Sequence, residues 1–235
     1  ASNVAVGRSA LLSNTTASNN TAVGYQAAYS NTTGTDVVAV GMSALQDNTT
    51  GVGNVAIGRF ALGDNTTANG NTAVGGYDGS AQPALRVNTT GASNTGIGSG
   101  ALSANTTANN NTAVGYKALF SSTTSSENVA IGADALADQT TGANNVAVGR
   151  ATLTNNTTAG SNTAVGHEAG FTNITSQYNA FFGRQAGYYA TGGANTFIGQ
   201  QAGVAVTSGG GNTILGRYNG NQGGLDIRTA SNHIV

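Results

Sequence analysis

Residues 20–36 read Asn-Thr-Ala-Val-Gly-Tyr-Gln-Ala-Ala-Tyr-Ser-Asn-Thr-Thr-Gly-Thr-Asp, and the rest of the chain is built from variants of this stretch. Its opening motif, Asn-Thr/Val-Ala-Val/Ile-Gly in the commonest form, begins at residues 3, 20, 37, 54, 71, 94, 111, 128, 145, 162, 179, 195 and 212. Ten of the twelve intervals are 17 residues, one is 23 and one is 16. Such internal repeats are typical of solenoids, in which each repeat forms one coil. Coil positions 1–17 are numbered from the first residue of the motif.

Each repeat predicts two short strands and two turns. Positions 2–4 form a β-branched stretch that ends at a glycine corner, and an Ala-Leu pair usually follows at positions 8 and 9. Asn-Thr-Thr at positions 12–14 is turn chemistry. Helices are disfavoured, because Gly and β-branched residues recur and no 3.6-residue apolar stripe is present. The sequence therefore predicts an all-β fold, a parallel β-roll or β-solenoid of about 13 coils of 17 residues.

Strand alternation assigns the faces of each coil. Position 4 is always Val, Ile, Phe or Leu, which predicts that it lines the interior. Position 3 is Ala or Gly in the first ten coils and then becomes Phe181, Phe197 and Ile214, which predicts a change of packing near the C-terminus. The small residues at position 3 predict close approach of another surface. We expect that surface to be a sister chain, and the fibre to be a homotrimer with cyclic symmetry.

Composition narrows the function classes. Charged residues make up 7 % of the 235 residues, against about 25 % in an average protein. The net charge of −1 gives no reason to expect a nucleic-acid partner. No apolar run approaches the roughly 20 residues that would span a bilayer, so membrane insertion is not expected. Because the chain opens inside a motif at Asn3, we expect a fragment or a processed product.

The repeat pattern predicts two regions, a repeat shaft over residues 1–218 and a C-terminal segment, residues 219–235, that leaves the repeat. The fifth repeat is expanded by six residues at about 76–83, a stretch that contains Tyr77 and Asp78. Solenoids place insertions on loops of one face, which is often the working face. A tolerated loop without function explains the expansion equally well.

The most varied position is 6, directly after the corner glycine, and it holds most of the arginines. An exposed row of Arg and Tyr at this position would contact a glycan or a partner chain, although a row that only keeps the chain soluble is the simpler explanation. The candidate contact residues are Arg8, Tyr25, Arg59, Tyr116, Arg150, Arg184 and Arg217.

No catalytic, metal-binding or cofactor-binding motif is expected. His167 and His233 lie in unrelated contexts, and stacked Asp47 and Asp64 predict either a cation site or, more simply, solvated turns. Asn-x-Thr triplets recur at the turns and would accept N-glycans only in a eukaryotic secretory pathway. The alternative is that Asn-Thr-Thr only shapes the turn. These asparagines are Asn14, Asn31, Asn48, Asn65, Asn88, Asn105, Asn156 and Asn173.

The Asn-Thr-Ala-Val-Gly units at 71–75, 111–115 and 162–166 resemble repeats of phage tail fibres. Val55-Ala56-Ile57-Gly58 and Val129-Ala130-Ile131-Gly132 are similar to the coils of YadA-like trimeric autotransporter heads, although the period of 17 is longer than in that family. The resemblance covers residues 3–216 and implies a left-handed, trimeric, parallel β-roll used for attachment to a host. Residues 224–235 resemble the segment that precedes the self-cleaving intramolecular chaperone of phage fibres.

The resemblance therefore implies a structural shaft or adhesin of a phage tail fibre, on the virion or otherwise extracellular, with other fibre or virion proteins and a host-surface glycan or protein as partners. The alternatives are a secreted extracellular filament or a trimeric autotransporter head. An ice-binding solenoid is a more distant alternative, since it expects a Thr-x-Thr array and the Thr-Thr pairs of this chain lie at turns. An enzyme is not expected.

Overall fold

The computed structural model describes residues 2–223 and 225–235, and the described residues contain strands and turns but no helix. The chain forms two compact units, the first ending at Thr124 and the second beginning at Ser125. Each unit is a parallel β-solenoid in which successive repeats stack as coils. The predicted fold, an all-β solenoid of about 13 coils with a 17-residue period, is confirmed.

The first unit contains seven three-residue strands, each paired in parallel with the next along the chain. Residues at the same coil position pair with one another, as in Val4↔Thr21. The strands are β1 (Val4–Val6), β2 (Thr21–Val23), β3 (Val38–Val40), β4 (Val55–Ile57), β5 (Thr72–Val74), β6 (Thr95–Ile97) and β7 (Thr112–Val114).

The second unit continues the same pattern and adds a small antiparallel hairpin, β14 with β15. Its strands are β8 (Val129–Ile131), β9 (Val146–Val148), β10 (Thr163–Val165), β11 (Ala180–Phe182), β12 (Thr196–Ile198), β13 (Thr213–Leu215), β14 (Asn221–Gln222) and β15 (Leu225–Asp226).

Hydrogen bonds join neighbouring coils at the turns as well as at the strands. The Leu45 N–H donates to the Ala61 carbonyl at 3.0 Å, and the Thr32 N–H donates to the Thr49 carbonyl at 2.9 Å. The corner requires glycine, because Gly24 has φ +139° and a Cβ there would lie 2.5 Å from the Gly41 carbonyl oxygen. This bonding around each coil explains why the period is so regular.

The interior is built from position 3, not from position 4. Ala22 and its counterparts from the second coil onward are buried, whereas Ile57 at position 4 is 39 % exposed. The two faces of the strand were therefore predicted the wrong way round. The physical reason is space: position 3 faces the leucine at position 9, and a Cβ added to Gly96 would lie 3.3 Å from Leu85 Cδ1. Only a small residue fits there, so the alanine face needs no sister chain to cover it.

The expected change of packing near the C-terminus is an exchange between positions 3 and 9. Where Phe181 and Phe197 fill position 3, position 9 of the same coil is glycine, at Gly187 and Gly203. A Cβ on Gly187 would lie 2.6 Å from Phe181 Cε1, and one on Gly203 would lie 2.5 Å from Phe197 Cδ2. In most coils the interior therefore holds one large apolar side chain, from position 3 or from position 9; the exceptions are the coil with Ala22 and Ala28 and the coil with Ala164 and Gly170.

Two columns of buried asparagines run beside this apolar core. At position 12, Asn48 Nδ2 donates to Asn31 Oδ1 at 2.7 Å and to the Gly51 carbonyl at 3.0 Å. At position 1, Asn54 Oδ1 accepts from the Asn71 N–H at 2.9 Å. These buried amides are tolerated because most of their polar atoms find a partner in their own coil or in a neighbouring one, although Asn105 Oδ1 and Asn156 Nδ2 find none among the described residues.

The C-terminal segment, residues 219–235, which was predicted to leave the repeat, makes contacts with the last coil on both sides of a short hairpin. The strands β14 and β15 pair with each other and depart from the coil. Ile227 is buried, the His233 N–H donates to Asn212 Oδ1 at 3.0 Å, and Ile234 pairs in parallel with Thr213. His233 thus takes the place of the position-1 asparagine.

Candidate contact face

Positions 6, 7, 10 and 11 of the coils form a candidate contact face, because they carry varied polar and aromatic side chains, whereas the Ala-Leu pair at positions 8 and 9 belongs to the interior. All seven residues predicted at position 6 are exposed: Arg8, Tyr25, Arg59, Tyr116, Arg150, Arg184 and Arg217. Aromatic rings lie beside Arg8 and Arg59, and also beside Lys117 at position 7. Arg8 lies 5.9 Å from the Tyr25 ring centroid, and Lys117 Nζ lies 5.2 Å from that of Tyr116.

Both expansions of the repeat fall in this part of their coils. The Tyr77 N–H donates to the Arg59 carbonyl, the bond typical of position 7, and Ala84 resumes the coil at position 8. The insertion therefore falls within residues 77–83, since the Gln82 carbonyl accepts from the Gly100 N–H as a position-6 carbonyl does. The strands β14 and β15 likewise lie between positions 9 and 12 of their coil. Insertions in solenoids map to loops on one face, which is often the binding face.

Asp78 anchors the inserted loop. Its Oδ1 accepts hydrogen bonds from the Ser80 N–H and Oγ–H and from the Ala81 N–H, at 2.8–2.9 Å. These donors favour the ionised form, so the Ala81 and Ser80 backbone bonds hold the pKa of Asp78 well below its usual range. The loop is thus fixed by its own residues although it is exposed.

We expect Asp78→Ala to raise amide hydrogen exchange at Ser80 and Ala81 at least about tenfold, because each amide loses a charge-assisted bond. In the unsubstituted chain, protection should decline only as the pH falls from the ordinary aspartate pKa towards the lowered one. Exchange measured by NMR checks both results. Asp47→Ala, which removes an exposed acid at position 11, should leave both amides unchanged; equal exchange in the two variants would contradict the anchoring role.

Beside the loop lies a group of five side chains, which we name the loop cluster: Arg59, Phe60, Asp64, Tyr77 and Arg86. The Arg59 guanidinium carbon is 5.0 Å from the Phe60 ring centroid and 5.7 Å from that of Tyr77. Arg86 approaches the Phe60 ring from 5.5 Å and is ion-paired with Asp64. Sequence reasoning found Arg59 and noted Tyr77, but missed Phe60 and Arg86.

Glycine makes room for this arrangement. Position 10 of the fourth coil is Gly63, where a Cβ would lie 2.9 Å from Arg86 Nη1. The Arg86 side chain therefore passes over Gly63 to reach Asp64. The absence of a side chain at this otherwise varied position is the sequence signal that could have pointed to the cluster.

Comparison with protein-family models, curated proteins and solved structures finds no match. The functional argument for the chain therefore depends on the chemistry of its exposed faces.

A second exposed surface, the strand face, consists of the outward side chains at positions 2 and 4 of the strands. Every residue at position 4 is a large apolar residue that is partly or fully exposed. No position-2 or position-4 residue carries a charge. The position-4 residues are Val6, Val23, Val40, Ile57, Val74, Ile97 and Val114 in the first unit, and Ile131, Val148, Val165, Phe182, Ile198 and Leu215 in the second.

The candidate glycan acceptors are mostly inside the coils. Asn14 is partly exposed, whereas the other seven are fully buried: Asn31, Asn48, Asn65, Asn88, Asn105, Asn156 and Asn173. A glycan on Nδ2 of these residues would have no room and would displace the asparagine column. Their role in this fold is to satisfy the turn.

Other kinds of site receive no support from the described ranges, 2–223 and 225–235. No group of three His, Asp or Glu side chains within them could hold a metal ion, and Asp64 is engaged with Arg86. In the same ranges, no helix is long and apolar enough to cross a membrane. His167 lies in an exposed polar row, with its Nδ1 atom 3.7 Å from Glu168 Oε2 and its Nε2 atom 3.3 Å from Arg150 Nη1.

Proposed function

We propose that the chain is a structural, non-catalytic segment of an extracellular fibre of the phage tail-fibre kind, which associates with copies of itself through the strand face and touches the host surface with the contact face. The observation that supports this most directly is the apolar strand face. Position 6, which is exposed or partly exposed, holds Arg, Tyr, Met, Gly, Ser, Ala, His and Gln, whereas position 4 holds only Val, Ile, Phe and Leu.

An exposed apolar column of this kind is energetically unfavourable for a chain that remains a monomer. Soluble monomers rarely expose contiguous apolar patches larger than a few hundred Å². In the first unit the column runs through seven paired strands, spaced by about 4.8 Å. Burial against another chain would remove this apolar surface from water, and it would also cover the strands without requiring any new hydrogen bonds.

A trimer satisfies this requirement with closed symmetry. Three identical strand faces around one axis cover each other and leave no apolar column free. The alanine face cannot serve this purpose, because it lies inside each chain. The contact face occupies other positions of the coil, so it stays available on every copy.

The rival functions make different demands on these surfaces. A secreted filament decorated at its Asn-Thr-Thr turns would need exposed asparagines, and seven of the eight are buried. An ice-binding face would need Thr at both positions 2 and 4 of the strands, and no coil has this. A trimeric autotransporter head would use the same faces, so the wider gene context separates it from a phage fibre.

Light scattering on the purified chain tests the proposal. We expect a particle with three times the mass of one chain. The double variant Val40→Lys and Ile57→Lys should shift it to a monomer at equal concentration, because two ammonium groups would be placed in the apolar column of adjacent coils.

The matched control is Thr50→Lys with Thr67→Lys, which places the same charges on exposed position 14 of the same two coils. The control should keep the mass of the parent. A parent chain that is a soluble, folded monomer would rule out self-association through the strand face.

A further inference from the structure

We propose that the loop cluster binds an acidic saccharide, meaning a sugar that carries a carboxylate. This inference gives a ligand class to the contact face and rests on the display role proposed above. Three features of the cluster support it: an arginine without an acidic partner, an exposed tyrosine on an anchored loop, and an ion pair fixed beside them.

Arg59 supplies the charge. None of the ion pairs among the described residues includes it, and its guanidinium rests against the Phe60 and Tyr77 rings. The nearby carboxylates are committed elsewhere, since Asp64 pairs with Arg86 and Asp78 accepts three bonds within its own loop. Arg59 therefore retains a planar fork of donors suited to a carboxylate.

Tyr77 supplies the platform. Its side chain is 46 % exposed, and the loop that follows it is held at one end by Asp78 and at the other by the Gly100 N–H, which donates to the Gln82 carbonyl at 2.7 Å. A ring held in this way loses little freedom when a ligand stacks on it. The apolar C–H face of a sugar ring fits such a surface, and its hydroxyls can bond to Asp64 and Arg86.

Other ligand classes fit this cluster less well. A nucleic acid needs several cations along its backbone, and the chain as a whole carries a net charge of −1. A folded protein partner needs a larger continuous patch, whereas these rings are separated by charged side chains. A neutral sugar would leave the Arg59 charge unused.

Saturation-transfer NMR and calorimetric titration test the proposal with defined probes: trigalacturonate, neutral maltotriose, and a diglutamate peptide as a carboxylate without a sugar. We expect trigalacturonate to bind best and its C–H protons to receive saturation from the irradiated aromatic ring protons, with the transfer reduced in Tyr77→Ala. Arg59→Gln and Tyr77→Ala should each weaken it about tenfold, the loss expected from one charge-assisted contact. Arg228→Gln, the same change at an exposed arginine that lies outside the contact face, should leave the affinity unchanged.

Equal binding of maltotriose, stronger binding of the peptide, or full binding by Arg59→Gln would each overturn the proposal. Thermal melting of every variant confirms that it is folded. The oligomer mass, measured on the same samples, keeps the two proposals apart: a trimer that ignores all three probes refutes the saccharide site alone, and a monomer that binds trigalacturonate refutes self-association alone.

Discussion

Phe181→Ala should destabilise the second unit by about 3–5 kcal/mol, and adding Gly187→Leu to the same chain should recover most of that loss. Phe181 is completely buried at position 3, and Gly187 lies beneath its ring at position 9 of the same coil. Removing the ring leaves a cavity that neighbouring coils cannot close, because the ladder fixes them on both sides. A leucine at 187 would fill that cavity.

The chain already contains the rearranged version of this coil. Ala147 and Leu153 occupy positions 3 and 9 two coils earlier, and Leu153 is buried with φ 50°. Gly187 has φ 60°, so a leucine there would adopt a backbone conformation that leucines of this protein already adopt. Gly187→Leu alone should instead destabilise the second unit by about 1–3 kcal/mol, because the new Cβ would collide with the Phe181 ring.

Chemical denaturation of the four chains, at one protein concentration, gives the coupling between the two sites as a double-mutant cycle. Tyr178→Ala is the control, since it removes a ring of similar size that is 68 % exposed. It should change the unfolding free energy by less than about 1 kcal/mol. A double variant no more stable than Phe181→Ala would show that positions 3 and 9 do not share one space.

The exchange of large and small residues between positions 3 and 9 also shows which features of the fold could be predicted from the sequence. The repeat placed three-residue strands at positions 2–4 of every coil, because Gly at position 5 and Asn-Thr-Thr at positions 12–14 leave few other conformations. Alternation then showed that positions 3 and 4 lie on opposite faces. Alternation alone does not say which face is inside, and side-chain size led to the wrong choice.

The correct choice was present in the sequence as a correlation between positions 3 and 9. Coils with Phe181 or Phe197 at position 3 have glycine at position 9, while most coils with alanine at position 3 have leucine. Two positions that exchange volume in this way share one space. The return of the C-terminal segment to the coil could also have been predicted from the sequence, because residues 229–232 repeat the Thr-Ala-Ser-Asn of residues 16–19.

Only part of the contact face could be predicted from the sequence. Variation at position 6 identified Arg59 as an exposed residue, and the structure exposes it. Its association with Phe60 and Arg86 depends on side chains that reach across from position 7 of its own coil and position 10 of the next. Such contacts follow from the stacking register and from the space over Gly63, and the repeat pattern fixes neither in advance.

Asn48→Asp should destabilise the first unit by at least about 3 kcal/mol at neutral pH, although it changes one amide into a carboxylate of the same shape. Asn48 Nδ2 donates to Asn31 Oδ1 and to the Gly51 carbonyl, and a carboxylate oxygen would face both acceptors without a proton to share. Only the bond from Asn65 Nδ2 to residue 48, at 2.8 Å, would survive. A buried charge with one donor and two opposing acceptors is far from satisfied.

The pH dependence distinguishes this cause from a packing defect. Burial and the two acceptors disfavour the ionised form, so the pKa of the new carboxyl is raised in the folded state. A raised pKa means that the folded chain holds its proton longer than the unfolded chain does. The deficit relative to the parent therefore grows as the pH rises above the unfolded value of about 4 and shrinks again below it.

Asn110→Asp, which alters an exposed residue of the same unit, makes the same chemical change outside the column and should cost less than about 0.5 kcal/mol at any pH. Denaturation midpoints at several pH values, with hydrogen exchange of the second to fourth coils, measure both variants. A deficit for Asn48→Asp that is constant with pH would show that the asparagine column acts through shape and not through its hydrogen bonds.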